Sequence, residues 1–98
     1  MHLKDRGKPR IQFGAIAEVI ELEQSHEVVA VTRDLSVSGC FLKTTSPFPE
    51  RTRVRVRIAH SGEAIGNVRA NVTETGMGIV FTQIEPNDRA ILERWLGR

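Results

Sequence analysis

RTRVRVRIA, Arg51 to Ala59, alternates without a break. Arg51, Arg53, Arg55 and Arg57 fall on one face of an extended chain, and Thr52, Val54, Val56 and Ile58 fall on the other, because successive side chains of a strand point to opposite sides. The stretch is therefore a half-buried strand with a basic outer face. Before it, SPFPE (Ser46 to Glu50) holds two prolines in three residues, which a central strand cannot accommodate, so it reads as a loop. Further back, residues 15–23 carry Ile16, Val19, Ile20 and Leu22 in an imperfect alternation that suggests a bulge, residues 27–33 are rich in β-branched apolar side chains, and residues 40–44 form a short third strand.

Downstream, HSGE (His60 to Glu63) reads as a turn into a strand over residues 65–73, with Val68, Ala70 and Val72 facing in and Asn67, Arg69 and Asn71 facing out. ETGMGIVF supplies another turn and a sixth strand through Ile79 and Phe81. The period then changes. Pro86 suits a first helical turn, Asp88 sits near its positive end, Ile91, Leu92, Trp95 and Leu96 share one face, and Gly97 can end the helix. The sequence thus predicts a mainly all-β fold, a six-stranded antiparallel β-barrel with a C-terminal α-helix packed on it. Its expected division is one domain over residues 1–98, with a flexible basic arm at 1–11, the barrel at 12–83 and the helix at 86–97.

The chain has 98 residues, 40% hydrophobic and 27% charged, enough for one modest core. No apolar run is long enough to predict a membrane span, and the N-terminus is charged rather than signal-like, which points to a cytoplasmic setting. One cysteine, Cys40, rules out an internal disulfide and a cysteine-rich zinc site; it reads as a small buried hydrophobe. His2, His26 and His60 have no metal-like spacing, so neither a metal nor a cofactor is expected. No nucleophile–base pair is visible, and the expectation is a protein that is not an enzyme. Charge is unevenly placed. Residues 1–10 carry Lys4, Arg6, Lys8 and Arg10 against the single acid Asp5, while the other 88 residues carry ten basic and eleven acidic side chains. A basic arm suggests an anionic partner.

RDLSVSGCFLKT, Arg33 to Thr44, places Asp34, Ser36, Ser38 and Gly39 between two apolar runs. These are the usual turn residues, and the plain reading is a capped turn. Together with RGKPR, however, where Arg6 and Arg10 lie four positions apart, the segment resembles the signature of the PilZ family: Arg-x-x-x-Arg followed by Asp/Asn-x-Ser-x-x-Gly. The barrel pattern, the GMGIVF strand and the terminal helix are similar to that family's layout, so the resemblance spans nearly the whole chain. It implies a receptor for the bacterial second messenger cyclic di-GMP, with Arg6, Arg10, Asp34, Ser36 and Gly39 as its ligand-binding residues and a downstream protein or fused domain as its partner. Asp5 occupies the position that the family uses to influence whether one or two ligand molecules bind, and an acid there repels phosphate. Gly7 loosens the arm and Pro9 stiffens it.

The chemistry suits those residue types. An arginine can grip a phosphate or the guanine O6/N7 edge through two bonds, or stack on a base. The Asp34 carboxylate can accept from guanine N1–H and N2–H₂, a donor pair adenine lacks. Ser36 can add a hydroxyl contact. Gly39 allows close backbone approach and conformations closed to other residues. The polar segment then reads as the floor of a guanine site. Two alternatives remain: a PilZ-like protein-interaction module without nucleotide binding, and a small barrel binding nucleic acid through Arg51–Arg57. The scarcity of aromatics for base stacking disfavours the second, and the arginine stripe reads more simply as a solvated face balanced by Glu18, Glu21, Glu23 and Glu27. Trp95 reads as core rather than as a stacking platform.

Overall fold

The computed structural model describes residues 11–12, 14–59, 62–69 and 74–96. Seven strands precede one helix: β1 (Ile11–Gln12), β2 (Ile16–Glu21), β3 (Glu27–Ser36), β4 (Gly39–Lys43), β5 (Arg53–Ile58), β6 (Gly62–Val68), β7 (Gly76–Ile84) and α1 (Pro86–Leu96). All pairings are antiparallel, in the order β1-β3-β2-β5-β6-β7-β4, and a further β3–β4 pairing closes the sheet. Six long strands therefore make the expected barrel. The short β1 is extra: it pairs with the far end of β3, beyond the part that β2 covers.

The alternation is realised from Arg53 to Ile58, with Val54 and Val56 fully buried, Ile58 nearly so, and the arginines exposed; Arg51, read as the first residue of the strand, lies instead in the turn before it. The core gathers Ala17, Val19, Leu35, Leu42, Met77 and Ile79, with Cys40 buried among them. Helix α1 contributes Leu92 and Leu96; Ile91 and Trp95, on the same predicted face, are only half-buried. Gly97, the expected helix end, lies outside the described residues.

Three expectations need correction. The irregular pattern of residues 15–23 is not a bulge, because β2 pairs in unbroken register with both β3 and β5. Its core face is Ala17 and Val19, and Ile16 and Ile20 are apolar residues on the outer face, Ile16 being 60% exposed. The bulges lie elsewhere, in β3 between Thr32 and Asp34 and in the β6–β7 register at Ile65/Gly66.

Second, HSGE is only partly a turn: Gly62 and Glu63 already pair with Ile58 and Arg57. Gly62 takes a φ of 91°, open to glycine and costly for other residues, which lets the chain reverse that early. The Asp88 carboxylate then accepts the Glu63 N–H at 3.3 Å, tying the start of β6 to α1. The inward Val68 is borne out, whereas residues 70–73 lie outside the described residues. Third, β3 runs on to Ser36, three residues past its expected end.

Candidate functional site

The segment expected to be a turn is mostly strand. Asp34, Leu35 and Ser36 belong to β3 and Gly39 to β4; the turn proper is Val37–Ser38, between the paired Ser36 and Gly39. Its polarity has a different cause. Thr32 pairs with Leu42, but Asp34 pairs with Phe41, so Arg33 is an extra residue with no partner of its own on β4. Strict alternation from the inward Thr32 would aim Asp34 into the core. The extra residue shifts the phase, sets Asp34 beside the outward Phe41, and returns Leu35 to the interior beside Cys40. The bulge thus turns the carboxylate away from the hydrophobic core to the outer face of the sheet, where Asp34 and Phe41 are still largely covered and the charge is paired with Arg33.

Around Asp34 the contacts are specific. Arg33 donates through Nε and Nη2 to Asp34 Oδ2, both at 3.0 Å. The same guanidinium lies 4.1 Å from the centroid of the Phe41 ring. A planar cation that stacks on a ring while forking onto a carboxylate fixes the orientation of that carboxylate. Arg33 was not among the residues picked out from sequence. Only the bulge, invisible to periodicity, reveals that it and Asp34 share one surface.

Ser36 is fully buried and serves the turn. Its Oγ accepts the Ser38 N–H at 3.2 Å and lies 3.3 Å from the Gly39 carbonyl and 3.0 Å from the Ser38 hydroxyl. Gly39 has an ordinary φ, so the expectation of an unusual backbone conformation there is corrected. Close approach is what it provides: a Cβ at this position would lie 2.1 Å from the Ile79 carbonyl oxygen, so only glycine lets β4 and β7 pair there.

Arg6 and Arg10 lie outside the described residues. The chain that carries them nevertheless enters the barrel at a defined place. Arg10 is one peptide bond from Ile11; Ile11 pairs with Leu35, and Gln12 pairs with Asp34 itself. Strand β1 therefore joins the barrel at the end of β3 that carries Asp34 and Ser36.

The rival basic face splits in two. Arg57 is bound to Glu63 at 2.8 Å and to Glu18 at 3.4 Å. Its pKa is raised above the ordinary arginine value, first by the hydrogen bond it donates to Glu63 and then by the charges of Glu63 and Glu18. Of the four glutamates expected to balance the stripe, only Glu18 pairs with an arginine among the described residues. Glu21 instead accepts the backbone N–H groups of Glu23 and Gln24 in its own turn. Glu63 was missed because it sat in the supposed HSGE turn.

A closed six-stranded barrel with a terminal helix and a motif-bearing strand edge is the architecture of one known class of domain. The chain belongs to the PilZ domain family, whose profile matches residues 4–98. Among solved structures, the inhibitor of motility MotI/DgrA of Bacillus subtilis is similar with a TM-score of 0.78 and 16% identity, covering 100% of this chain and 52% of that one. The PilZ domain of CeSA from a cellulose-synthesizing bacterium gives a TM-score of 0.69 at 25% identity, covering 91% and 95%. The PilZ domain of YcgR from Escherichia coli, solved with c-di-GMP, gives 0.67 at 15% identity, covering 96% and 90%. This chain thus spans nearly all of the isolated domains and about half of the longer Bacillus protein. No curated protein matches it.

Proposed function

We propose that this domain is a receptor for cyclic di-GMP that passes its state to a downstream protein or fused domain in the bacterial cytoplasm, and that it performs no chemistry on the ligand. One observation carries the reading: β1 pairs directly across from Asp34 and Leu35, so the segment bearing Arg6 and Arg10 joins the same strand end as the outward-turned carboxylate. That entry point supports a reading in which both halves of the sequence signature act on one ligand. The likeness to the YcgR domain supports the ligand, since that protein was solved with it.

In this reading the roles divide by chemistry. Asp34 accepts from the guanine N1–H and N2–H₂ edge, with Arg33 and Phe41 holding the carboxylate in place. Arg6 and Arg10 take phosphate oxygens and the purine O6/N7 edge. Ser36 and Gly39 act on the ligand through the surface they shape: the serine by tying the Val37–Ser38 turn, the glycine by letting β4 lie close against β7. No helix among the described residues is long and apolar enough to cross a membrane.

Calorimetric titration with cyclic di-GMP, with GTP and single-stranded DNA as controls, tests the reading. Saturable binding of cyclic di-GMP alone is the expected outcome, and no binding leaves the protein-interaction module as the surviving reading. Within that titration, Asp34→Ala is expected to weaken binding by about 1–3 kcal/mol, the usual loss when a charged hydrogen-bond partner is removed. Unchanged affinity would remove Asp34 from the site. The double substitution Arg53→Gln, Arg55→Gln is expected to leave affinity for cyclic di-GMP within a few fold, because β2 separates β5 from β3, and across Ile20 of β2 Arg55 is level with Glu27, at the opposite end of β3 from Asp34. A collapse of binding there would relocate the site to the basic face.

A further inference from the structure

The unpaired half of the arginine stripe belongs to a second feature. Arg51 and Arg53 converge with Arg69 and Asn67 around an open groove of about 540 Å³, with Glu50 on its rim and Val68 in its wall. Arg51 adopts a φ of 75°, a left-handed conformation uncommon for any residue but glycine. Its N–H bonds to the Val68 carbonyl at 2.7 Å, and the Val68 N–H bonds to the Thr52 carbonyl at 3.0 Å, so the backbone pins this conformer beside β6. Arg53 is the direct cross-strand partner of Asn67. The Arg69 N–H bonds to the Gly78 carbonyl at 2.8 Å, holding the third arginine against β7. Among the described residues, none of these three guanidiniums is in an ion pair or side-chain hydrogen bond, whereas Arg57 on the same stripe is neutralised by two glutamates.

We propose that this groove docks an acidic segment of a partner protein. Three guanidiniums on pinned backbone, without an ion pair among the described residues, call for external anions, and carboxylates match the arginine fork through paired hydrogen bonds. Asn67 can donate to and accept from a peptide backbone laid in the groove. A nucleic-acid backbone fits less well, because phosphates recur along a line and the basic area is short. Arg57 is silenced at one end, while Glu50, Glu21 and Glu23 line the adjoining cleft at the other. Among the described residues, no aromatic side chain lines the groove to stack a base.

The location suits an output surface. Arg53, Asn67, Val80, Gly39 and Ser36 form one continuous cross-strand row. Asn67 is thus three strand spacings, roughly 14 Å around the barrel, from Ser36 at the candidate ligand site.

The test is amide chemical-shift mapping of the labelled protein with a short oligoglutamate peptide, an oligolysine peptide, and a single-stranded oligodeoxynucleotide of matching charge. The expected result is saturable movement of the amides of Arg51–Arg53 and Asn67–Arg69 with oligoglutamate alone. The double variant Arg53→Gln, Arg69→Gln should weaken that binding by about tenfold or more, as loss of interfacial charge pairs does. Arg51→Gly provides a control for folding. It should melt no lower than the parent, because glycine accepts the left-handed φ, and should still lose affinity for the peptide. Absence of saturable shifts at the groove, shifts indifferent to these substitutions, or tighter binding of the oligonucleotide would overturn the proposal.

Discussion

A protein that begins at Ile11 is expected to keep its barrel and to lose tight binding of cyclic di-GMP. The first ten residues bring only two large apolar side chains, Met1 and Leu3, whereas the β1 pairing of Ile11 and Gln12 with Leu35 and Asp34 survives the deletion. The same deletion removes Arg6 and Arg10. Charge-assisted hydrogen bonds are each worth about 1.5–3 kcal/mol, so losing both arginines should cost a hundredfold in affinity or more. Arg6→Ala and Arg10→Ala should each be severe and should not add, because both residues act on one bound molecule. Hydrogen exchange on residues 4–12 then reads the mechanism directly, with ligand expected to raise protection there. Equal protection with and without ligand would mean that binding does not order this segment, even if the ligand is right. Tight binding by the truncated protein would sink the assignment of Arg6 and Arg10.

Periodicity made most of the barrel legible, since a strand with one wet and one dry face writes that fact into its sequence. β5 shows this most clearly, and the inward Val68 of β6 follows the same rule. Periodicity fails where an apolar residue faces outward, as at Ile16 and Ile20, because an outer isoleucine looks like a phase error and invites a bulge that is not there. It fails again where a real bulge sits among polar residues. In β3 the phase changes at Arg33, and Asp34, Ser36 and Gly39 are turn formers, so strand and turn were indistinguishable until the Asp34–Phe41 register was known. The sequence offers the candidate site as a list to be tested, Arg6, Arg10, Asp34, Ser36 and Gly39, but not as a surface. Strand order carries no local signal, and it is the pairing of β1 with the end of β3 that sets Ile11 and Gln12 beside Leu35 and Asp34. The contributions of Arg33, Phe41 and Glu63 depend on cross-strand neighbours for the same reason.

Gly39→Ala separates the two duties that one glycine can have in such a site. If the residue served only to let a ligand approach, the variant would fold normally and merely bind less well. The geometry predicts the opposite order of events. The added methyl would lie 2.1 Å from the Ile79 carbonyl oxygen and 3.2 Å from its carbonyl carbon, and both are backbone atoms that cannot swing away. Strands β4 and β7 must then separate where Cys40 pairs with Ile79, two core residues, so relief of the clash opens the hydrophobic interior. Overpacking of this kind costs about 3 kcal/mol at the upper end of its usual range, a large fraction of what a domain of this size has to lose. A thermal melt should accordingly fall by roughly 12–24 °C. Binding should weaken with it, but in step with the unfolded fraction, so that titration well below the new Tm recovers much of the affinity. If Gly39→Ala melts like the parent and still fails to bind, the β4–β7 contact has slack that the geometry denies, and Gly39 belongs to the ligand rather than to the barrel.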